Sequence, residues 1–226
     1  MAGDHWAPYG ASAGAVAVLL FALGALVFPE EPDFGAPAAE VAAYFDRDQE
    51  AIRLGVAITA LMAPFLIWFL ATVASLARDG GPGARRAGTF AFTAGAIVVG
   101  LFLADLSSLA IGALRPENMV ASPELAATLR DVSWLLIAAA APLMSSVFVA
   151  FAVIALRDRV IWPEWLGWLA ALTAIAYSLR TGALFSDEGA FAADGALGFW
   201  VPVGAFAGWI ALASVVLALE LREPRG

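Results

Sequence analysis

Cysteine and lysine are both absent from the 226 residues, and histidine occurs once, at His5. Without cysteine the chain has no disulfides, thiolate metal sites, iron–sulfur clusters, covalently attached haem or lipid-modified cysteines. A single histidine excludes bis-histidine haem and multi-histidine metal sites. The missing lysine removes a Schiff-base chromophore and a lysine nucleophile. Charge is scarce as well, at 14% of residues against about 25% in an ordinary soluble domain. No basic stripe marks a nucleic-acid partner. No cofactor and no metal site are expected.

What remains is apolar: 62% of residues are hydrophobic, and the mean hydropathy is +0.85. Apolar runs of about 20 residues recur along the chain, the length that crosses a bilayer. The formal charge of −8 has two readings, a cation-binding surface or acidic, solvated loops. Net charge bears on solubility before partners, so the second is favoured.

Runs and breakers together predict an all-α, polytopic membrane helix bundle, one integral membrane domain over residues 1–226. Six transmembrane helices are expected at about 10–28, 51–77, 87–114, 131–156, 163–185 and 196–221, with a short amphipathic outer helix at about 37–50. The first run is read as a retained helix, because a signal-peptide leader normally carries Arg or Lys and this one has Asp4. Gly10/Gly14 and Gly204/Gly208 are small-xxx-small pairs that predict close helix packing. Pro37 suits a first helical position, and Val41, Phe45 and Ile52 follow near helical spacing. Gly80-Gly81-Pro82-Gly83 predicts a turn, and Ser122-Pro123-Glu124 an N-cap, first-turn proline and acid. Trp6, Tyr9, Trp162, Trp165 and Trp168 read as interfacial aromatics.

Arginines set the expected orientation. With both termini inside, the inner segments hold Arg78, Arg85, Arg86, Arg157, Arg159, Arg222 and Arg225. The outer ones hold Arg47, Arg53, Arg115 and Arg130, with Arg180 near an outer end, so N-in/C-in is predicted. The second, fourth and sixth runs each contain a proline (Pro64, Pro142, Pro202) and close on Arg-Asp, Arg-Asp and Arg-Glu. That pattern fits a duplicated hairpin, and equally the habit of helices ending in Arg at an inner interface.

Two stretches carry a resemblance. Ala38-Ala39-Glu40-Val41-Ala42-Ala43-Tyr44-Phe45 with Ala63-Pro64-Phe65-Leu66-Ile67-Trp68-Phe69 is one, and Pro163-Glu164-Trp165-Leu166-Gly167-Trp168-Leu169 is the other. Together they resemble a broad group of bacterial multi-pass proteins of unknown function with about six spans. Members commonly have a basic residue where this chain has Glu164. The resemblance implies architecture and a bacterial cytoplasmic (inner) membrane, with no catalytic residues to carry over.

The candidate polar site is intramembrane: Asp105, Ser108, Thr173, Tyr177 and Arg180. On a helical wheel Asp105 shares a face with Ala94, Val98, Leu101, Ser108 and Gly112, opposite Phe92, Val99, Leu103 and Leu114. It should therefore face the bundle, since a carboxylate at mid-span costs ~2.5–3.5 kcal/mol on insertion scales. Thr173, Tyr177 and Arg180 share a face of the fifth run, with Ser178 pointing away. Asp105 and Arg180 sit at similar depth and should pair if the third and fifth spans are neighbours. The pair reads either as a lock on helix registry or as a gated ion pair or proton site.

Enzyme readings lack their parts. Ser107, Ser108, Ser145 and Ser146 are intramembrane hydroxyls with no histidine or lysine to serve as base. No phosphate-binding glycine loop, paired catalytic carboxylates or metal-ligand spacing appears. The function favoured is a structural or accessory membrane subunit. A small-solute or lipid carrier using Asp105 and Arg180 is the alternative, with an intramembrane enzyme behind it. The expected partners are the lipid bilayer and either another membrane protein or a second copy of the chain.

Overall fold

Proline and glycine decide where the apolar runs stop being helix. The computed structural model describes residues 6–33, 35–158, 161–186 and 189–222, so His5, Asp4, Arg159 and Arg225 lie outside the described residues. The helices are α1 (Ala7–Val27), α2 (Ala38–Arg47), α3 (Gln49–Ala60), α4 (Met62–Leu76), α5 (Pro82–Leu114), α6 (Pro116–Ala121), α7 (Pro123–Val153), α8 (Glu164–Arg180) and α9 (Val201–Arg222). No strand occurs among the described residues, and the chain is an all-α bundle.

The second expected span is divided. Pro64 has no N–H to offer the Ala60 carbonyl, and its ring crowds that carbonyl, so α3 stops at Ala60 and α4 restarts at Met62. Pro142 is carried inside α7, whereas Pro202 follows a π turn over Ala196–Trp200 that widens the helix before it. Two helices start earlier than expected, α5 at Pro82 and α7 at Pro123. Each takes its proline into the first turn, where the missing N–H has no partner to lose. Ser122 makes no side-chain capping bond, contrary to expectation, and Pro37 stands one residue outside α2.

Five helical stretches are long and apolar enough to cross a membrane: Ala7–Val27, Gln49–Asp79, Pro82–Leu114, Pro123–Arg157 and Gly189–Arg222. The remaining expected span, 163–185, is a 17-residue α-helix followed by a 3₁₀ turn at Thr181–Leu184. At ~1.5 Å per residue α8 is ~25 Å long, near the short limit for a crossing.

Successive spans pack against one another, and the last closes on the first: α1 with α3 and α4, then α5, α7, α8, α9, and back to α1. Cross-contacts give the antiparallel register. Gly24 faces Thr59 while Gly10 faces Thr72; Gly95 faces Leu70 while Gly88 faces Ala77. One end of the ring, the proximal end, therefore holds the start of α1, Asp79, Arg157 and the finish of α9. The distal end holds 28–33, 35–48, 115–122, 181–186 and 189–196.

Between helices in lipid there is little hydrophobic force, so close packing and interhelical hydrogen bonds carry the association. Aromatic rings fill the proximal half of the ring. Trp209 stacks on Phe151 (centroids 4.7 Å apart, planes at 6°) and meets Phe148 and Trp162 edge-on at 5.4 and 5.1 Å. Trp162 thus turns inward and donates Nε1–H to the Ala213 carbonyl at 3.1 Å, whereas Trp165 and Trp168 stay exposed as interfacial residues should. Its place just before Pro163, against the Trp209 to Ala213 stretch of α9, is what draws it in.

Two hydroxyls stitch seams. Ser214 accepts the Ala15 N–H at 2.8 Å and donates to the Ala11 carbonyl, the two ends of one rung of the α1 ladder. Ser145 donates to the Ala174 carbonyl at 2.8 Å, joining α7 to α8. Gly14 packs as its motif predicts, 2.9 Å separating an added Cβ from the Phe69 ring. Gly204 and Gly208 do not: an added Cβ at either has open space around it, so this pair faces outward.

At the distal end α2 lies over α5, α6 and α7. Val41, Tyr44 and Phe45 are enclosed with Leu109, Met119 and Ala126 in a second core. Arg53 of α3 finishes this end, donating Nε–H and Nη2–H to the Ala113 carbonyl at 3.0 and 2.8 Å. That carbonyl lies in the last turn of α5 and has no partner within its own helix.

Candidate functional site

Asp105 is buried on the bundle face of α5, as the helical wheel requires, together with Ala94, Val98, Ser108 and Gly112. Leu114 points out, but Val99 is buried in the core, so the apolar side of α5 is not wholly lipid-facing. The partner of Asp105 comes from α7. Ser133 donates its hydroxyl to Asp105 Oδ1, wholly inside the protein. Depth explains the meeting: Asp105 is nine residues from the distal end of α5 and Ser133 ten from that of α7, ~14 and ~15 Å at the helical rise.

The expected ion pair between Asp105 and Arg180 is not made. Among the described residues the single ion pair is Arg47–Asp48, at 2.6 Å. The reason is topological, since α7 lies between α5 and α8, packing on both. Asp105 and Arg180 remain close enough for their charges to act on each other. Arg180 is 2% exposed and places Cζ 5.5 Å from the ring centre of Phe199, a cation–π contact. Its Nε and Nη1 have no hydrogen-bond partner.

The other three candidates stay within their own surroundings. Ser108 bonds the Ala104 carbonyl at 3.3 Å, and Thr173 the Leu169 carbonyl at 2.9 Å, one turn back on their own helices. Tyr177 stacks on Phe148, with centroids 5.9 Å apart and planes at 11°. Ser178 faces away from this group, as expected, and pairs with Ser145 at 2.9 Å.

Sequence reasoning missed the distal layer above Asp105. Arg130 is buried one turn distal of Ser133 on the same face of α7, its Nη1 donating to the Asp33 carbonyl at 2.9 Å and its Nε unpartnered. That bond ties the segment after α1 across the mouth of the bundle. It places half-buried Glu31 within reach of the charges of both Arg130 and Asp105. Burial pushes the Glu31 carboxyl above its ordinary value, and Arg130 opposes the shift. Burial, with the Glu31 and Asp48 charges behind it, also pushes the Tyr44 phenol up, and its hydroxyl makes no hydrogen bond. A signal existed in the spacing of Arg130 and Ser133, three residues apart, but it needs a helix that begins at Pro123 to place both on one face.

Chemically, the arrangement offers one carboxyl held by a hydroxyl and several buried donors with capacity to spare: Arg130 Nε, Arg180 Nε and Nη1, and the Tyr44 hydroxyl. These can hold a proton or stabilise negative charge. Among the described residues no group of three His, Cys, Asp or Glu is placed to hold a metal ion.

Two tests follow. A double-mutant cycle between Ser133→Ala and Asp105→Ala, read by unfolding in mixed micelles, should give a coupling of roughly 0.5–1.5 kcal/mol, the range of interhelical hydrogen bonds in membranes. Additivity would remove the bond from the account of this site. The second test concerns pH. Because the folded-state value of Glu31 lies above the ordinary 4.5, the neutral acid stabilises the distal cap at low pH. That contribution fades as pH rises through the raised value. Protection of the Val41 to Phe45 amides, corrected for intrinsic exchange, should therefore fall with rising pH in the wild type and stay flatter in Glu31→Gln. Protection that climbs with pH contradicts the assignment.

No protein-family model, curated protein or solved structure matches the chain.

Proposed function

We propose that this protein is a structural or accessory subunit of a bacterial cytoplasmic membrane, with six spans and both termini in the cytoplasm. The aromatic packing of Trp209, Phe151, Phe148 and Trp162 supports this reading most directly. A solute path along the ring axis would have to move these rings, each pair of which contributes about 0.5–1.5 kcal/mol beyond its buried area. The orientation rests on the arginines at the proximal end, and a reporter fused after Gly80 should give a cytoplasmic signal. A signal from the outside overturns it. The proposal includes no catalytic step.

A carrier of a small anionic solute or lipid is the second reading. It is favoured by one observation, the unpartnered Nε and Nη1 of buried Arg180 within charge range of Asp105. Proteoliposomes separate the two. A subunit without transport leaves an imposed pH gradient, or a gradient of a small organic anion, as long-lived with wild type as with Asp105→Asn or Arg180→Gln. A gradient that wild type dissipates and either variant preserves replaces the first reading with the second.

A further inference from the structure

The packing of α7 on α8 leaves a recess of about 420 Å³ on the outside of the ring, away from Asp105. Ala152, Ala171 and Ala174 are small enough to let it form, with Val149 and Ile175 on its sides. Its distal end is lined by Ser145 and Ser178, whose hydroxyls are already engaged with each other and with the Ala174 carbonyl. Its proximal end opens at Arg157, exposed on the π turn Ile154–Asp158 that finishes α7. A hydrocarbon-lined slot with a cation at its mouth is the shape of one lipid: a chain within and an anion outside.

Dimensions agree. Ser145 and Arg157 are twelve residues apart, ~18 Å along the helix. One leaflet of hydrocarbon is ~15 Å deep. Spread over ~18 Å, 420 Å³ is a cross-section of ~23 Å². A narrow apolar recess of this length suits an extended acyl chain. We propose that it is a binding site for an anionic phospholipid of the proximal leaflet, with one acyl chain along α7 and α8 and the phosphodiester at Arg157.

The test is lipid retention by the full-length protein. The chain is reconstituted with equal amounts of phosphatidylcholine and phosphatidylglycerol, extracted in mild detergent and weighed by native mass spectrometry. Wild type should keep one lipid, phosphatidylglycerol over phosphatidylcholine by roughly fivefold, the ~1 kcal/mol that one arginine near an anionic surface supplies. Arg157→Gln should retain a lipid without the preference. Ala171→Phe, which fills the recess from a half-buried position, should retain none while unfolding at the same temperature. If that variant fails to fold, Ile175→Trp at the exposed rim serves in its place. Equal retention of the two lipids, a preference that survives Arg157→Gln, or lipid retained by the plugged variant overturns the proposal. So does a lipid-free wild-type dimer that the plug dissociates, since a second copy would then occupy the recess.

Discussion

Trp209→Ala is expected to lower the unfolding free energy by about 3–5 kcal/mol, the range for truncating a large buried aromatic. Trp209 is 2% exposed and touches Phe148, Phe151 and Trp162, rings supplied by α7 and by the segment before α8. It also donates Nε1–H to the Leu166 carbonyl at 2.9 Å. Truncation leaves a void that surrounding rings fill only in part, and packing contacts across a void are lost outright. The comparison is Trp200→Ala, at a residue 68% exposed, which should stay within ~0.5 kcal/mol of wild type. Unfolding by denaturing detergent, followed by far-ultraviolet circular dichroism, reads both. Similar losses at the two positions contradict a filled proximal half.

Gly112→Leu should also be costly, at about 1–3 kcal/mol of overpacking strain. An added Cβ there would lie 2.6 Å from Cδ1 of Phe45, a ring with no exposed surface. Leucine gains up to ~1 kcal/mol over glycine in a helix, so the strain must exceed that to show. With Val41 and Met119 enclosing Phe45 in the same core, the easiest relief is for α2 to lift from α5. Amides of Ala42 to Phe45 should lose protection while those of α7 keep theirs. Gly204→Leu carries the same gain in propensity with open space around the new side chain, and should be neutral or slightly stabilising. If both leucines behave alike, α2 is not held on Gly112.

How far the residues alone reach depends on the kind of signal. Long apolar runs locate the helices, because burial of the backbone in lipid leaves helix as the available form. The inward face of Asp105 and the shared side of Val41 and Phe45 were legible, since a period of 3.6 fixes which residues lie together. The partner of Asp105 was not. Choosing between Ser133 and Arg180 requires knowing that α7 separates α5 from α8, and neighbour order is a property of the closed ring. Trp162 misled for a related reason: a tryptophan at a span end reads as interfacial unless a neighbouring helix offers it a ring and a carbonyl, as α9 does with Trp209 and Ala213. Gly204/Gly208 shows the converse. The motif matches as well as Gly10/Gly14, yet which side of the helix meets a neighbour is decided elsewhere.

Ser214 bears on how the chain is made. Its bond to the Ala15 N–H joins residues 199 apart in sequence, across the seam that closes the ring. At a synthesis rate of 5–20 residues per second, α1 enters the membrane roughly 10–40 s before α9 exists. Through that interval the α1 face bearing Ala11 and Gly14 has only α3 and α4 beside it, and its remaining side meets lipid or the insertion machinery. The ring is therefore sealed after synthesis of the last span, and a ribosome that stalls before Val201 leaves the first helix unsealed on the side that matters.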